Sequence, residues 1–117
     1  MITELFAPPG GWRVRLLDMS ADPADNVTEE IEGFPSLMQA NEFARRYLRD
    51  SIEHCRAPGL DASGVLEDWH LFGESAQVAD AGESGFDAAA HLAAFAATPA
   101  SEEERDWRAL DPRRGEA

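Results

Sequence analysis

Lysine is absent from this chain, and arginine supplies all ten of its basic residues against 23 Asp and Glu, for a formal charge of -13. From residue 57 to residue 104 there is no arginine either, while ten acids fall in that stretch. A surface so one-sided repels phosphate backbones and anionic lipid headgroups. It argues against nucleic acid and membrane partners and leaves basic proteins, cations or solvent. With one cysteine, Cys55, an internal disulfide is impossible. The longest apolar-looking stretch, residues 88–97, is mostly alanine and is broken by His91, well short of the ~20 residues that span a bilayer. The first residues show neither a basic leader region nor an apolar run. The expectation is a cytoplasmic protein. Large core-builders are also scarce, because twenty of the 117 residues are alanine. At this length folding buries roughly 65% of the unfolded chain's surface, enough for one compact domain.

Chemical motifs are missing too. Neither GxGxxG nor GxxxxGK[ST] occurs, and CxxC, HxxxH and HExxH spacings are absent. His54 and Cys55 are neighbours, so on a helix they point about 100° apart and do not share an ion. Asp50 with His54, and Asp87 with His91, are i,i+4 pairs read as hydrogen-bonded or solvated. The segment Gly82-Glu83-Ser84-Gly85 lacks the nucleophile elbow. Cys55 closes an apolar stripe, where a small buried thiol is the ordinary finding. No metal, cofactor or catalytic residue is expected, and the reading leans away from an enzyme.

What is present is a legible order of elements. Residues 1–11 form an arm ending in Ala7-Pro8-Pro9-Gly10-Gly11, a run of chain breakers. Residues 12–110 form a single domain, and 111–117 a flexible tail. Trp12-Arg13-Val14-Arg15-Leu16 alternates with period two, as a strand with one buried face does. The turn formers of residues 20–26 lead into Val27–Phe34, where Glu30 and Glu32 flank Ile31. This is a hairpin, with Arg13 and Arg15 set against Glu30 and Glu32 in cross-strand pairs of about 0.2–1 kcal/mol each. Ser36 with Gln39 makes a capping box. Beyond it Leu37, Ala40, Ala44, Tyr47, Leu48, Ser51, Ile52 and Cys55 recur at helical spacing. The other side carries the i,i+4 pairs Glu42 to Arg46, Arg46 to Asp50 and Arg49 to Glu53. Pro58-Gly59 ends this helix.

Residues 60–80 admit two patterns, and the favoured one is a helical turn near 62–67 followed by a third strand from about 69 to 79, because two strands alone make a marginal sheet. Ser84 and Asp87 predict the start of an alanine-rich helix running to Ala97. Ser101 with Glu104 predicts a short C-terminal helix that docks Trp107 and Leu110. The fold class is therefore α+β: a small antiparallel sheet of a hairpin plus a third strand, packed by one long helix and an alanine-rich helix.

Strand, acidic loop, strand and capped alanine-bearing helix, over residues 12–56, are similar in outline to antitoxins of the HicB type. That resemblance implies a small α+β domain that neutralises a toxin by binding it. The chain departs from the pattern in lacking a glycine-cysteine segment after the first strand and a DNA-binding module further on.

For function, the charge and the lack of catalytic constellations point to a non-catalytic interaction or accessory protein, acting as a homodimer or bound to a basic protein. A toxin-neutralising or DNA-mimicking role is the sharper form, since acidic surfaces compete for basic sites. The basic partner is expected at residues 61–83, with Glu67, Asp68 and Glu74 as its charges, and Trp69 beside His70 as the aromatic contact. The rival reading is a small enzyme or ligand-binding domain in which Arg45 and Arg49 clamp an anion and His54 or His70 moves a proton.

Overall fold

The structure is a computed structural model and describes residues 8–115. Most of the expected arm, residues 1–7, and the last two residues of the expected tail lie outside the described residues. The architecture is α+β, with a three-stranded antiparallel sheet in the order β2-β1-β3. Strands β1 (Trp12–Asp18) and β2 (Val27–Phe34) form the expected hairpin, and β3 (Glu74–Val78) pairs with the other edge of β1. Trp12, Val14 and Leu16 are buried, and Val14 and Leu16 face Val78 and Ala76 across the pair.

The hairpin contains a bulge that strict alternation does not foresee. Val14 pairs with Ile31 and Trp12 with Phe34, so β2 carries one extra residue between them. Gly33 takes φ +93° there, a backbone state open to glycine. The bulge turns both Ile31 and Phe34 to the core. Arg15 lies opposite Glu30 at 3.0 Å, and Arg13 reaches the same carboxylate at 3.4 Å. Arg13 also pairs with Asp80, whereas Glu32 takes neither arginine.

Helix α1 (Leu37–His54) is the spine. Ser36 accepts from the Gln39 amide at 3.1 Å, while the Gln39 side chain meets the Ser36 hydroxyl instead of the cap amide. The first half of α1 lays Ala40, Phe43 and Ala44 on the sheet, among Trp12, Val14, Ile31 and Phe34. The second half presents Leu48 and Ile52 to Val65 and Trp69 of α2 (Ala62–Phe72) and to Phe95 and Ala96 of α3 (Leu92–Ala97). Two small cores thus share one helix, which suits a chain with few bulky residues.

Three expectations are corrected. Residues 62–72 form one helix, capped by the Asp61 carboxylate on the Gly64 amide at 2.9 Å, so the third strand begins at Glu74 and not near 69. Trp69 and His70 are therefore helical. Gly73 makes the abrupt exchange from helix to strand feasible: a Cβ there would sit 2.2 Å from Cδ1 of Trp69. The alanine-rich segment is also no continuous helix, but a 3₁₀ turn at Ala88–Ala90 followed by the six-residue α3. Ser84 does not cap it. Its carbonyl accepts from the side chain of Asn41, which in turn accepts from the Phe86 amide, so α1 holds the entry to this segment. The C-terminal capping box does form, with Ser101 and Glu104 bonded in both directions, yet it opens 3₁₀ turns at Glu103–Arg105 and Trp107–Leu110 in place of an α-helix. Residues Pro112–Gly115 make a further 3₁₀ turn, with Pro112 near Gly33 of β2.

Candidate functional site

The arginines of α1 are held by groups of the same chain. Arg45 gives two hydrogen bonds to Glu42, at 3.0 and 2.7 Å, and Arg46 adds a third at 2.8 Å. Hydrogen bonding from Arg45 holds the Glu42 carboxyl below its ordinary value, against an opposing push from burial. Arg49 is 5% exposed. It packs over the Phe95 ring at 4.4 Å, donates to the Thr98 carbonyl at 3.2 Å and lies 3.7 Å from Glu104. Glu53, its expected partner, bonds Arg56 instead, and Asp50 takes Arg105 in place of Arg46. The helix ladder is thus largely replaced by tertiary contacts, in which arginines of α1 and Arg56 fasten residues 95–106 to the helix. Arg45 and Arg49 do not form an open clamp.

Among the described residues, every arginine except Arg108 and Arg114 lies within ion-pair distance of a carboxylate. The positive charge is spent internally. Among the described residues no arginine reaches Asp61, Glu67, Asp68, Glu74 or Glu83.

Of these acids, Asp61 caps α2, Glu67 and Asp68 lie on it and Glu74 follows its end, and the outer side of this helix differs from the expected one in its aromatic residue. Trp69 is 2% exposed and donates its indole hydrogen to the Glu74 carbonyl at 2.9 Å, so it is a core anchor and not a contact residue. The exposed apolar groups are its neighbours Leu71, at 58%, and Phe72, at 74%. Glu67 and Asp68 sit four residues earlier, hence one turn before them on the same faces. Leu60 continues this side, because its Cδ2 lies 3.1 Å from where a Cβ on Gly64 would be, and Gly64 is two turns from Leu71. His70 is exposed, with its ring edge against Trp69. In the expected strand from about 69, Leu71 would share the inward face with Trp69. Once the segment is read as a helix, Val65 and Trp69 take the core and Leu71 turns out.

A cavity of about 250 Å³ lies on the other side of Glu74, between α1, the start of β3 and the turn at Trp107–Leu110. Tyr47 donates its phenolic hydrogen to Glu74, and the Glu74 amide donates to Ser51 at 2.8 Å. Burial first, and then the hydrogen bond to Glu74, push the Tyr47 phenol above its ordinary value, with the charges of Glu74, Glu29 and Asp50 adding to it. Asp50 accepts from Arg105 Nε at 2.7 Å and from the Trp107 indole at 3.1 Å. His54 Nε2 is 4.0 Å from Asp50, outside hydrogen-bond range, and its side chain is open to solvent. Arg108 covers the Trp107 ring at 4.2 Å. The one sequence signal for this cavity is an acid, Asp50, at helical spacing from the apolar Phe43 and Tyr47.

The other His pair is absent as well: His91 stacks between Phe86 and Phe95, at 5.0 and 5.3 Å. Among the described residues no three His, Cys, Asp or Glu side chains gather to hold a metal ion. No helix among them is long and apolar enough to cross a membrane.

The fold and these surfaces define a small α+β protein with an acidic, apolar-tipped helix on its outside. No family model matches the chain, and comparisons with curated proteins and with solved structures find no match either.

Proposed function

We propose that the protein is a non-catalytic interaction protein that binds a basic protein partner through the outer face of α2. The observation that carries this reading is the exposure of Leu71 and Phe72 one turn beyond Glu67 and Asp68. Two large apolar side chains in water, framed by unpaired carboxylates, complement a surface that offers both apolar and cationic groups. The internal use of the arginines supports the same conclusion, because it leaves these carboxylates available. A second copy of the chain fits this face poorly. A two-fold contact sets a patch against itself, so Glu67 and Asp68 would meet their own like charges. A toxin-neutralising or DNA-mimicking protein is the narrower form of this reading.

The test uses an amphipathic helical peptide of Lys and Leu as the probe. Glu67→Lys with Asp68→Lys is expected to weaken binding at least tenfold, a loss of about 1.4 kcal/mol or more. Glu102→Lys with Glu103→Lys, which changes net charge equally on an exposed segment elsewhere, leaves affinity within about twofold. Phe72→Ser weakens binding at both low and high salt. Equal losses in the two double variants would reduce the interaction to general charge attraction and end the proposal.

A further inference from the structure

We propose that the cavity bounded by Tyr47, Glu74 and Trp107 receives a single guanidinium or ammonium group, carried by a free organic cation or by a side chain of the basic partner. In the second form it rests on the reading of α2 given above.

The cavity, about 250 Å³, is smaller than the roughly 300–1,000 Å³ of pockets for drug-sized ligands. It suits a small organic ion or the end of one long side chain. Its walls supply what an organic cation requires. The Tyr47 and Trp107 rings stand 5.1 Å apart at 61°, and aromatic faces attract cations through their quadrupoles. Glu74 is the wall carboxylate that no arginine of the described residues neutralises. Asp50 also faces the cavity, but Arg105 already balances its charge. Tyr47 donates its phenolic hydrogen to Glu74, which fixes that carboxylate in the wall beside the two rings.

Arg108 shows that the site accepts this chemistry. Its guanidinium lies 4.2 Å over the Trp107 ring without an ion pair among the described residues. It acts as a loosely held internal occupant of the aromatic wall, and its displacement breaks no salt bridge. An incoming cation that reaches Glu74 gains a charge-assisted bond that Arg108 does not make. The arrangement therefore separates a cation site from an anion site by sign. If Arg108 and His54 held an anion, removing Arg108 would weaken the ligand; if the cavity holds a cation, removing a like charge strengthens it.

The experiment follows the Trp107 indole N–H of the full chain by NMR during titration with methylguanidinium chloride, against sodium chloride and sodium acetate at equal ionic strength. Methylguanidinium is expected to give a saturable shift that the two sodium salts do not. Glu74→Gln, which keeps an acceptor for Tyr47, lowers the affinity about tenfold or more. Arg108→Ala, an exposed position, raises it. A shift no larger than that of sodium chloride, saturation by acetate, or weaker binding in Arg108→Ala would overturn the proposal.

A second titration, with the Lys and Leu peptide carrying one arginine, distinguishes the sources. Movement of the Trp107 signal and a loss in Glu74→Gln assign the cation to the partner. Peptide binding that leaves Trp107 unmoved, together with a methylguanidinium response, assigns it to a free small molecule. Peptide binding that fails in Glu67→Lys with Asp68→Lys, in a protein with no methylguanidinium response, overturns the cavity and leaves the α2 reading intact.

Discussion

Tyr47 on α1 donates its phenolic hydrogen to Glu74, the first residue of β3, and thereby ties the spine helix to the edge strand where the sheet begins. The same junction carries the Ser51 contact to the Glu74 amide and the Trp69 contact to the Glu74 carbonyl. One residue thus joins α1, α2 and β3. It also lies between the acidic face of α2 and the cavity beside Trp107.

Tyr47 is the chain's one tyrosine, so phenolate absorbance reads it alone. Its raised value in the folded state makes its contribution complete below the unfolded value of 10.0 and progressively lost as pH rises beyond that. The folded protein is expected to show no phenolate step near pH 10, with ionisation appearing only as the protein unfolds at higher pH. Glu74→Gln should lower the Tyr47 value only in part, because the burial that contributes most to the shift remains. An ordinary step in the native protein would contradict both the burial of the phenol and its bond to Glu74.

Glu42 behaves in the opposite sense. Arg45 and Arg46 depress its carboxyl in the folded state, so its stabilising effect is present at neutral pH and lost as pH falls below its unfolded value of 4.5. Urea unfolding at about pH 6 and about pH 3.5 should show a smaller loss in Glu42→Gln than in wild type, by about 0.2–1 kcal/mol for a solvent-screened pair. An equal loss in both proteins would show that the pairing does not stabilise the fold.

Gly73→Ala should destabilise the protein through packing alone. Its φ of -85° suits any residue, but the added methyl would meet the buried ring of Trp69. A cost of about 1–3 kcal/mol, read as a lower urea midpoint at unchanged slope, matches overpacking of a core. A smaller cost of Gly73→Ala in a Trp69→Ala background than in wild type would confirm that the ring is the obstacle.

Asp50→Ala removes the acceptor shared by Arg105 and Trp107. The expected loss is about 1–3 kcal/mol, together with faster hydrogen exchange and proteolysis between residues 103 and 110. Uniform loosening of the whole chain would instead place Asp50 in the general core.

The sequence made some of this legible for identifiable reasons. Strict alternation in Trp12–Leu16 and the Ser36 cap marked the hairpin and α1, because local pattern and tertiary burial agree there. At Trp69 and Leu71 they conflict. Both residues suit an inward strand face, whereas the helix capped by Asp61 sends Val65 and Trp69 to the core and leaves Leu71 outside. The entry to α3 was hidden because its hydrogen bonds come from Asn41, more than forty residues earlier. Arg49 looked like a rung of a solvated ladder until α3 and the turn after it covered it. The acids of α2 were visible as candidate contacts, but the apolar Leu71 beside them was not, since it faces inward in a strand and turns out only in a helix.

The most direct measurement is the NMR footprint of the Lys and Leu peptide on the isotopically labelled protein. Binding through α2 predicts backbone and side-chain shifts concentrated at residues 60–74, strongest at Glu67, Asp68, Leu71 and Phe72. Shifts spread over Glu83, Glu102 and Glu103 alike, or centred elsewhere with residues 60–74 unmoved, would contradict it.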